Sequence, residues 1–202
     1  MTSKYILIIL VLLFALIVLF PLVLSLAGVP VFQFASPGGG QADGGVVLLR
    51  SSNEGKNWEE ARIHDKETGR DPRAILDIAI HPRDHSVVFL GTKSSGLWKS
   101  EDNGLSWASV NDSAGVLRQS ADVYAIGVSS SSPDTLYLAV FQEKRGRVLK
   151  SEDRGASFHE ILFITEDGFG VFDLYVNPYN ADHIIAVTGQ GGVLESVNGG
   201  KT

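Results

Sequence analysis

The chain has 202 residues, no cysteine and a formal net charge of −6. The lack of cysteine excludes disulfides, thiolate metal sites, a cysteine nucleophile and attachment through a lipid-bearing N-terminal cysteine. The acidic balance argues against nucleic acid as a partner, because phosphate binding needs clustered Lys and Arg. The one dense basic run, Lys144-Arg145-Gly146-Arg147, reads as a solvated hairpin tip.

Residues 1–4 carry Lys4 and precede an uncharged apolar block over 5–27, Tyr5 to Ala27. At about 1.5 Å per residue a helix of that length reaches roughly 34 Å, enough for a hydrocarbon core of about 30 Å. The block reads as an uncleaved transmembrane signal anchor, longer than the apolar region of an ordinary signal peptide. The other reading is a signal peptide cleaved after Ser25-Leu26-Ala27, a small-x-small site. Pro21 is compatible with a spanning helix. With Lys4 before the block and the next basic residue at Arg50, the N-terminus is expected in the cytoplasm and the remainder outside. The protein is thus expected to be membrane-anchored with an extracytoplasmic domain, or secreted if Ala27 is the cleavage point. Residues 28–43, with Ser36-Pro37-Gly38-Gly39-Gly40-Gln41, form a flexible linker.

Residues 44–202 repeat one pattern: Ser, any residue, Asp or Asn, any, Gly, two of any kind, then an aromatic. The copies are Ser51-Asn53-Gly55-Trp58 within 51–58, Ser100-Asp102-Gly104-Trp107 within 100–107, and Ser151-Asp153-Gly155-Phe158 within 151–158. A fourth, Ser196-Asn198-Gly200 within 196–202, stops one place before the aromatic. The serines lie 49, 51 and 45 residues apart. Each copy follows a short β-favouring run, so each reads as a hairpin turn. Ser and Asp accept backbone N–H groups in such a turn. Gly suits a positive φ, and the aromatic opens the next strand as an apolar plug. All four residue types are structural.

The upstream half repeats too. Ile75 to Pro82 resembles Val171 to Pro178, and Asp122 to Val128 stands in the same part of the middle unit. Pro82, Pro133 and Pro178 each precede their turn serine by 18 residues, although the middle match looks coincidental. Units of about 50 residues with short alternating strands and no helical period are the four-stranded antiparallel blades of a β-propeller. Two full blades, a partial first one and an unfinished last one make an incomplete ring, so the sequence is expected to be an N-terminal piece of a longer chain.

These turns resemble the Asp-box (BNR) repeats of sialidases, xyloglucan-degrading glycosidases, sortilin-type receptors and photosystem II assembly-factor propellers. The resemblance covers 44–202 and implies the propeller with structural turns at the blade periphery. It leaves two functions open. One is a non-catalytic binding or assembly scaffold, with an unspecified protein or polysaccharide ligand. The alternative is a glycoside hydrolase, xyloglucanase- or sialidase-like, whose catalytic residues lie largely in missing C-terminal blades. The first arginine motif of sialidases has no counterpart, since Arg62-Ile63-His64 lacks the proline and follows the first turn. A hydrolase needs paired carboxylates. Asp77, Asp122 and Asp173, on the expected inner strands, are candidates to face a ligand, although their recurrence equally fits a repeated structural bond. The five histidines have no metal-ligand spacing, His81 reads as a turn residue in the place of Asn177, and neither a metal nor a cofactor site is expected. Trp98, Phe172 and Tyr175 are expected to pack between blades.

Overall fold

The computed structural model describes residues 46–202, so the expectations for 1–4, 5–27 and 28–43 lie outside the described residues. Among the described residues every regular element is a strand, and no helix is long and apolar enough to cross a membrane. The strands form four antiparallel sheets, and each strand pairs with its neighbour in sequence.

The first sheet holds β1 (Val47–Arg50) and β2 (Glu59–Arg62). The second holds β3 (Ile75–Ile80), β4 (Val88–Thr92), β5 (Leu97–Ser100) and β6 (Ala108–Ser109). The third holds β7 (Asp122–Ser129), β8 (Ser132–Gln142), β9 (Arg145–Ser151) and β10 (His159–Phe163). The fourth holds β11 (Val171–Val176), β12 (Ile184–Thr188) and β13 (Val193–Ser196).

The sheets stack through their faces, and the period-2 alternation of each strand divides side chains between two cores. Leu136 and Leu138 on β8 point to the second sheet, where they and Val123 of β7 join Phe89 and Leu97. Tyr137 and Ala139, which alternate with them in sequence, point to the fourth sheet and meet Val171, Leu174 and Ile184. Trp98 and Trp107 face the first sheet with Ile63 and Leu90. The second strands β4 and β8 are therefore covered on both faces, and β4 is buried at every position. Each large side chain buried this way contributes about 1.5–3 kcal/mol. Between neighbouring sheets the approach at these points is too close for a side chain: a Cβ on Gly127 of β7 would lie 2.4 Å from Val176 Cγ2, and one on Gly91 of β4 2.5 Å from the Val123 carbonyl oxygen.

Two expectations need correction. The hairpin tip is Glu143-Lys144, whose φ values of 52° and 64° suit a tight turn with both central residues left-handed. Arg145 and Arg147 lie on β9 instead. The Arg147 side chain is only 15% exposed, pairs with Glu143 at 2.9 Å and Glu160 at 2.8 Å, and lies 4.9 Å from the Phe163 ring centre. Tyr175 is 54% exposed and Phe172 is 47% exposed, although Phe172 packs edge-on against Tyr124 at 5.0 Å; only Trp98 is enclosed. Pro133 begins a strand, whereas Pro82 and Pro178 stand in the turns after β3 and β11, so its spacing is indeed coincidental.

Candidate functional site

The four turns share one hydrogen-bond scheme. The Oγ atoms of Ser51, Ser100, Ser151 and Ser196 accept the N–H of Gly55, Gly104, Gly155 and Gly200 at 2.8–2.9 Å. Each hydroxyl donates in turn to Oδ1 of Asn53, Asp102, Asp153 or Asn198. That Oδ1 also accepts the N–H four residues on, from Asn57, Ser106, Ser157 and Thr202. Two successive residues are left-handed, not the glycine alone: Glu54, Asn103, Arg154 and Gly199 precede the glycines, whose φ values run from 79° to 86°.

The choice of Asp or Asn follows the residue four places on. Asp102 and Asp153 offer a second oxygen to the hydroxyls of Ser106 and Ser157, both at 2.5 Å. Asn198 instead donates Nδ2–H to Thr202 Oγ1. The serine hydroxyls hold both aspartates at about 2; Ser106 contributes most for Asp102 through its hydroxyl and then its N–H, and for Asp153 the hydroxyls of Ser157 and then Ser151 do. In the complete sheets the turns join third to fourth strands, while β3, β7 and β11 stand at the other end of the strand order.

The inner strands pair on one side only, and their open edges hold the three candidate aspartates. Asp77 accepts Ile78 N–H at 2.8 Å and, across to the third sheet, Ile126 N–H at 2.7 Å. Asp122 accepts Ser94 N–H at 2.7 Å and Ser94 Oγ–H at 3.1 Å, also across sheets. Asp173 accepts Leu174 N–H at 2.8 Å. The register separates them. Each inner strand bulges near its start, at Leu76, Tyr124 and Phe172, and the residue after the bulge is Asp77, Ala125 and Asp173. Asp122 precedes its bulge by two places and is no counterpart of the other two. The register sets Ala125, three residues after Asp122, in the place of Asp77 and Asp173.

Two carboxylates that the sequence reading passed over perform the same task at the outer strands. Asp65, 3% exposed, accepts Glu67 and Thr68 N–H through Oδ1 and Ser109 N–H and Oγ–H through Oδ2. Burial alone would raise its carboxyl, but the bonds from Ser109 and Thr68 outweigh burial and leave it well below the ordinary range. Asp112 accepts Val116 and Leu117 N–H on one oxygen, and Ala114 and Phe158 N–H on the other. Each ties the loop after an outer strand to the next sheet, and their separation of one repeat was the available signal. A groove of about 500 Å³ along the outer strands is lined by Asp65, Lys99, Glu101, Trp107 and Arg154.

Chemically, the described inner edge offers half-exposed apolar and aromatic groups, namely Ile78, Ile80, Phe172 and Tyr175, beside carboxylates committed to backbone donors. No group of three or more His, Asp or Glu side chains is arranged to hold a metal ion among the described residues.

No protein-family model matches the chain. Over 135 residues, 57% of its length, the chain is 30% identical to the xyloglucanase Xgh74A of Acetivibrio thermocellus and spans 16% of that protein. Among solved structures it is similar to an ancestral GH74 enzyme, with a TM-score of 0.57 and 20% identity over 75% of this chain and 20% of the other. It is also similar to YCF48 bound to D1 peptide, with a TM-score of 0.51 and 14% identity over 64% of this chain and 38% of the other. At these identities the structures speak for the fold. The fold is of the β-propeller type.

Proposed function

We propose that this chain is part of a polysaccharide-acting propeller of the xyloglucanase type, with the inner strands contributing glycan-contacting surface. The observation that carries this reading is the 30% identity to a xyloglucanase over 135 residues. The half-exposed rings of Phe172 and Tyr175 support it, since ligand sites combine aromatic surface with a few fixed polar groups. Glycoside hydrolysis requires two carboxylates flanking the scissile bond, about 5–9.5 Å apart. Asp77 and Asp122 are engaged as structural acceptors, so the reacting pair is assigned outside the described residues. Export by the N-terminal apolar block would place such a propeller with its polymer. The scaffold reading becomes second choice, because the sequence similarity runs to enzymes.

The test is electrophoresis of the full-length chain through gels with and without xyloglucan, paired with an assay for released reducing ends. Retardation by xyloglucan without release is the expected result. Unaltered mobility would remove the glycan reading and return the scaffold. Release of reducing ends would contradict the placement of the acid pair.

A further inference from the structure

A polar pocket lies between the third and fourth sheets, and the same place between the second and third shows which group it lacks. Three turns repeat one contact: Asn103 donates its N–H to the Ser86 carbonyl, Arg154 to that of Asp134 and Gly199 to that of Asp182. Asp134 and Asp182 are therefore counterparts, and so are Arg154 and Gly199. Where the second and third sheets meet, the Arg154 guanidinium pairs with the Asp134 carboxylate. Lys99 and Glu101 line the same groove as Arg154 and pair at 2.6 Å, with the ammonium 6.0 Å from the Phe89 ring centre.

One interface further on, this set recurs without the guanidinium. Lys150 and Glu152 pair at 2.7 Å, with the ammonium 5.7 Å from the Tyr137 ring centre, and Asp182 keeps the place of Asp134. Gly199 has no side chain to offer: a Cβ there would lie 2.6 Å from Asp182 Oδ1 and 3.4 Å from Lys150 Nζ. Among the described residues Asp182 forms hydrogen bonds through its backbone alone, and its carboxylate has no ion pair.

The space beside that carboxylate is an open pocket of about 330 Å³, inside the usual range of ligand sites, about 300–1,000 Å³. Its lining residues fall between 131 and 182, on β8, β9 and the turns before β8 and β12, so β13 forms no part of the wall. Thr135 and Tyr137 are 6% and 0% exposed, and the Tyr137 hydroxyl donates across the sheets to the Ala181 carbonyl at 3.0 Å. Its oxygen and that of Ser132 can still accept. Tyr179, 90% exposed, brings an aromatic ring to the same pocket. Lys150 is offset by Glu152, so Asp182 gives the lining one net negative charge.

We propose that this pocket binds an alkylguanidinium, either a free small molecule or the arginine side chain of a partner protein. The planar fork pairs with Asp182 as Arg154 pairs with Asp134, its remaining N–H groups meet the hydroxyl oxygens of the wall, and its face stacks on Tyr179. The Lys–Glu pair is no obstacle, since the second sheet holds the same pair beside Arg154. The inference does not depend on the polysaccharide reading.

The probes are N-acetyl-arginine amide, its lysine analogue and a glycine-flanked arginine tripeptide, each titrated into isotopically labelled full-length protein by NMR. The arginine amide is expected to shift resonances of Tyr179, Asn180 and Asp182, and the lysine analogue to bind about threefold or more weakly. Asp182→Asn, which keeps the shape and removes the charge, is expected to weaken the arginine amide about threefold or more. Gly199→Arg is expected to supply the guanidinium internally and abolish binding; its φ of 71° is close to the 57° at which Arg154 stands. Tighter binding of the tripeptide than of the amide identifies a protein partner as the source, and equal binding a small molecule. Equal affinity for the arginine and lysine amides, shifts outside the pocket, or undiminished binding by Asp182→Asn would overturn the proposal.

Discussion

Asp77 Oδ2 accepts the N–H of Ile126 at 2.7 Å, a bond that crosses from the second sheet to the third between residues 49 positions apart. The other oxygen of the same carboxylate caps Ile78 N–H on its own strand. One side chain thus satisfies two amides on the open edges of β3 and β7. Asp173 stands in the same register position and satisfies one, Leu174 N–H.

This difference sets the first prediction. Asp77→Ala leaves two edge amides without partners and is expected to cost about 1–3 kcal/mol in urea unfolding, while Asp173→Ala costs about 1 kcal/mol or less. Equal costs would mean that Asp77 does not clasp the two sheets.

The turn aspartates carry a pH signature. Asp102 and Asp153 titrate at about 2 in the folded chain, against 3.8 for an ordinary aspartate. Their folded values are depressed, so the stability they add is fully present above about pH 3.8 and lost as pH falls through about 2. Both lie at the surface, and solvent screening limits each to less than about 1 kcal/mol. The double variant Asp102→Asn/Asp153→Asn, which copies the residue types at 53 and 198, is expected to flatten this acid limb while retaining the fold. A chemical-denaturation series from pH 2 to 5 reads it directly.

His81 gives a second signature in a different window. Its side chain is 1% exposed, and Nδ1 accepts the N–H groups of Arg83 and Asp84, which requires an unprotonated nitrogen. Burial lowers its pKa first and the Arg154 guanidinium second, against the pull of Asp134 and Asp84. The unfolded imidazole takes its proton near the ordinary 6.5, and the folded one only at lower pH. Its contribution is therefore present above about pH 6.5 and lost as pH falls below that value. Asn177, at the same turn position after β11, accepts Tyr179 N–H through Oδ1. His81→Asn is accordingly expected to keep the turn and remove the loss that sets in as pH falls below 6.5. Persistence of that loss in the variant would assign it to another group.

What the sequence revealed followed from how local each feature is. The turns were legible because Ser, Asp or Asn, Gly and an aromatic bond within eight residues, and their spacing exposed the sheets as a series. Asp122 looked like a counterpart because it too opens an inner strand, and its place three residues before that of Asp77 and Asp173 shows only in the pairing register. Arg147 looked solvated because its cover comes from the hairpin tip at Glu143 and from Glu160 and Phe163 on β10. Trp58 is 61% exposed and Trp107 4% for a similar reason: among the described residues an earlier sheet stands behind Trp107 and none behind Trp58. Asp65 and Asp112 escaped notice because their partners, Ser109 and Phe158, are 44 and 46 residues distant.

The central claim, glycan contact along the inner strands, is tested most directly by NMR titration of the full-length chain with xyloglucan oligosaccharides. The expected result is a set of saturable shifts confined to Tyr124, Phe172, Tyr175 and their neighbours, lost in Phe172→Ala/Tyr175→Ala. No shifts, or shifts that persist unchanged in that double variant, would contradict it.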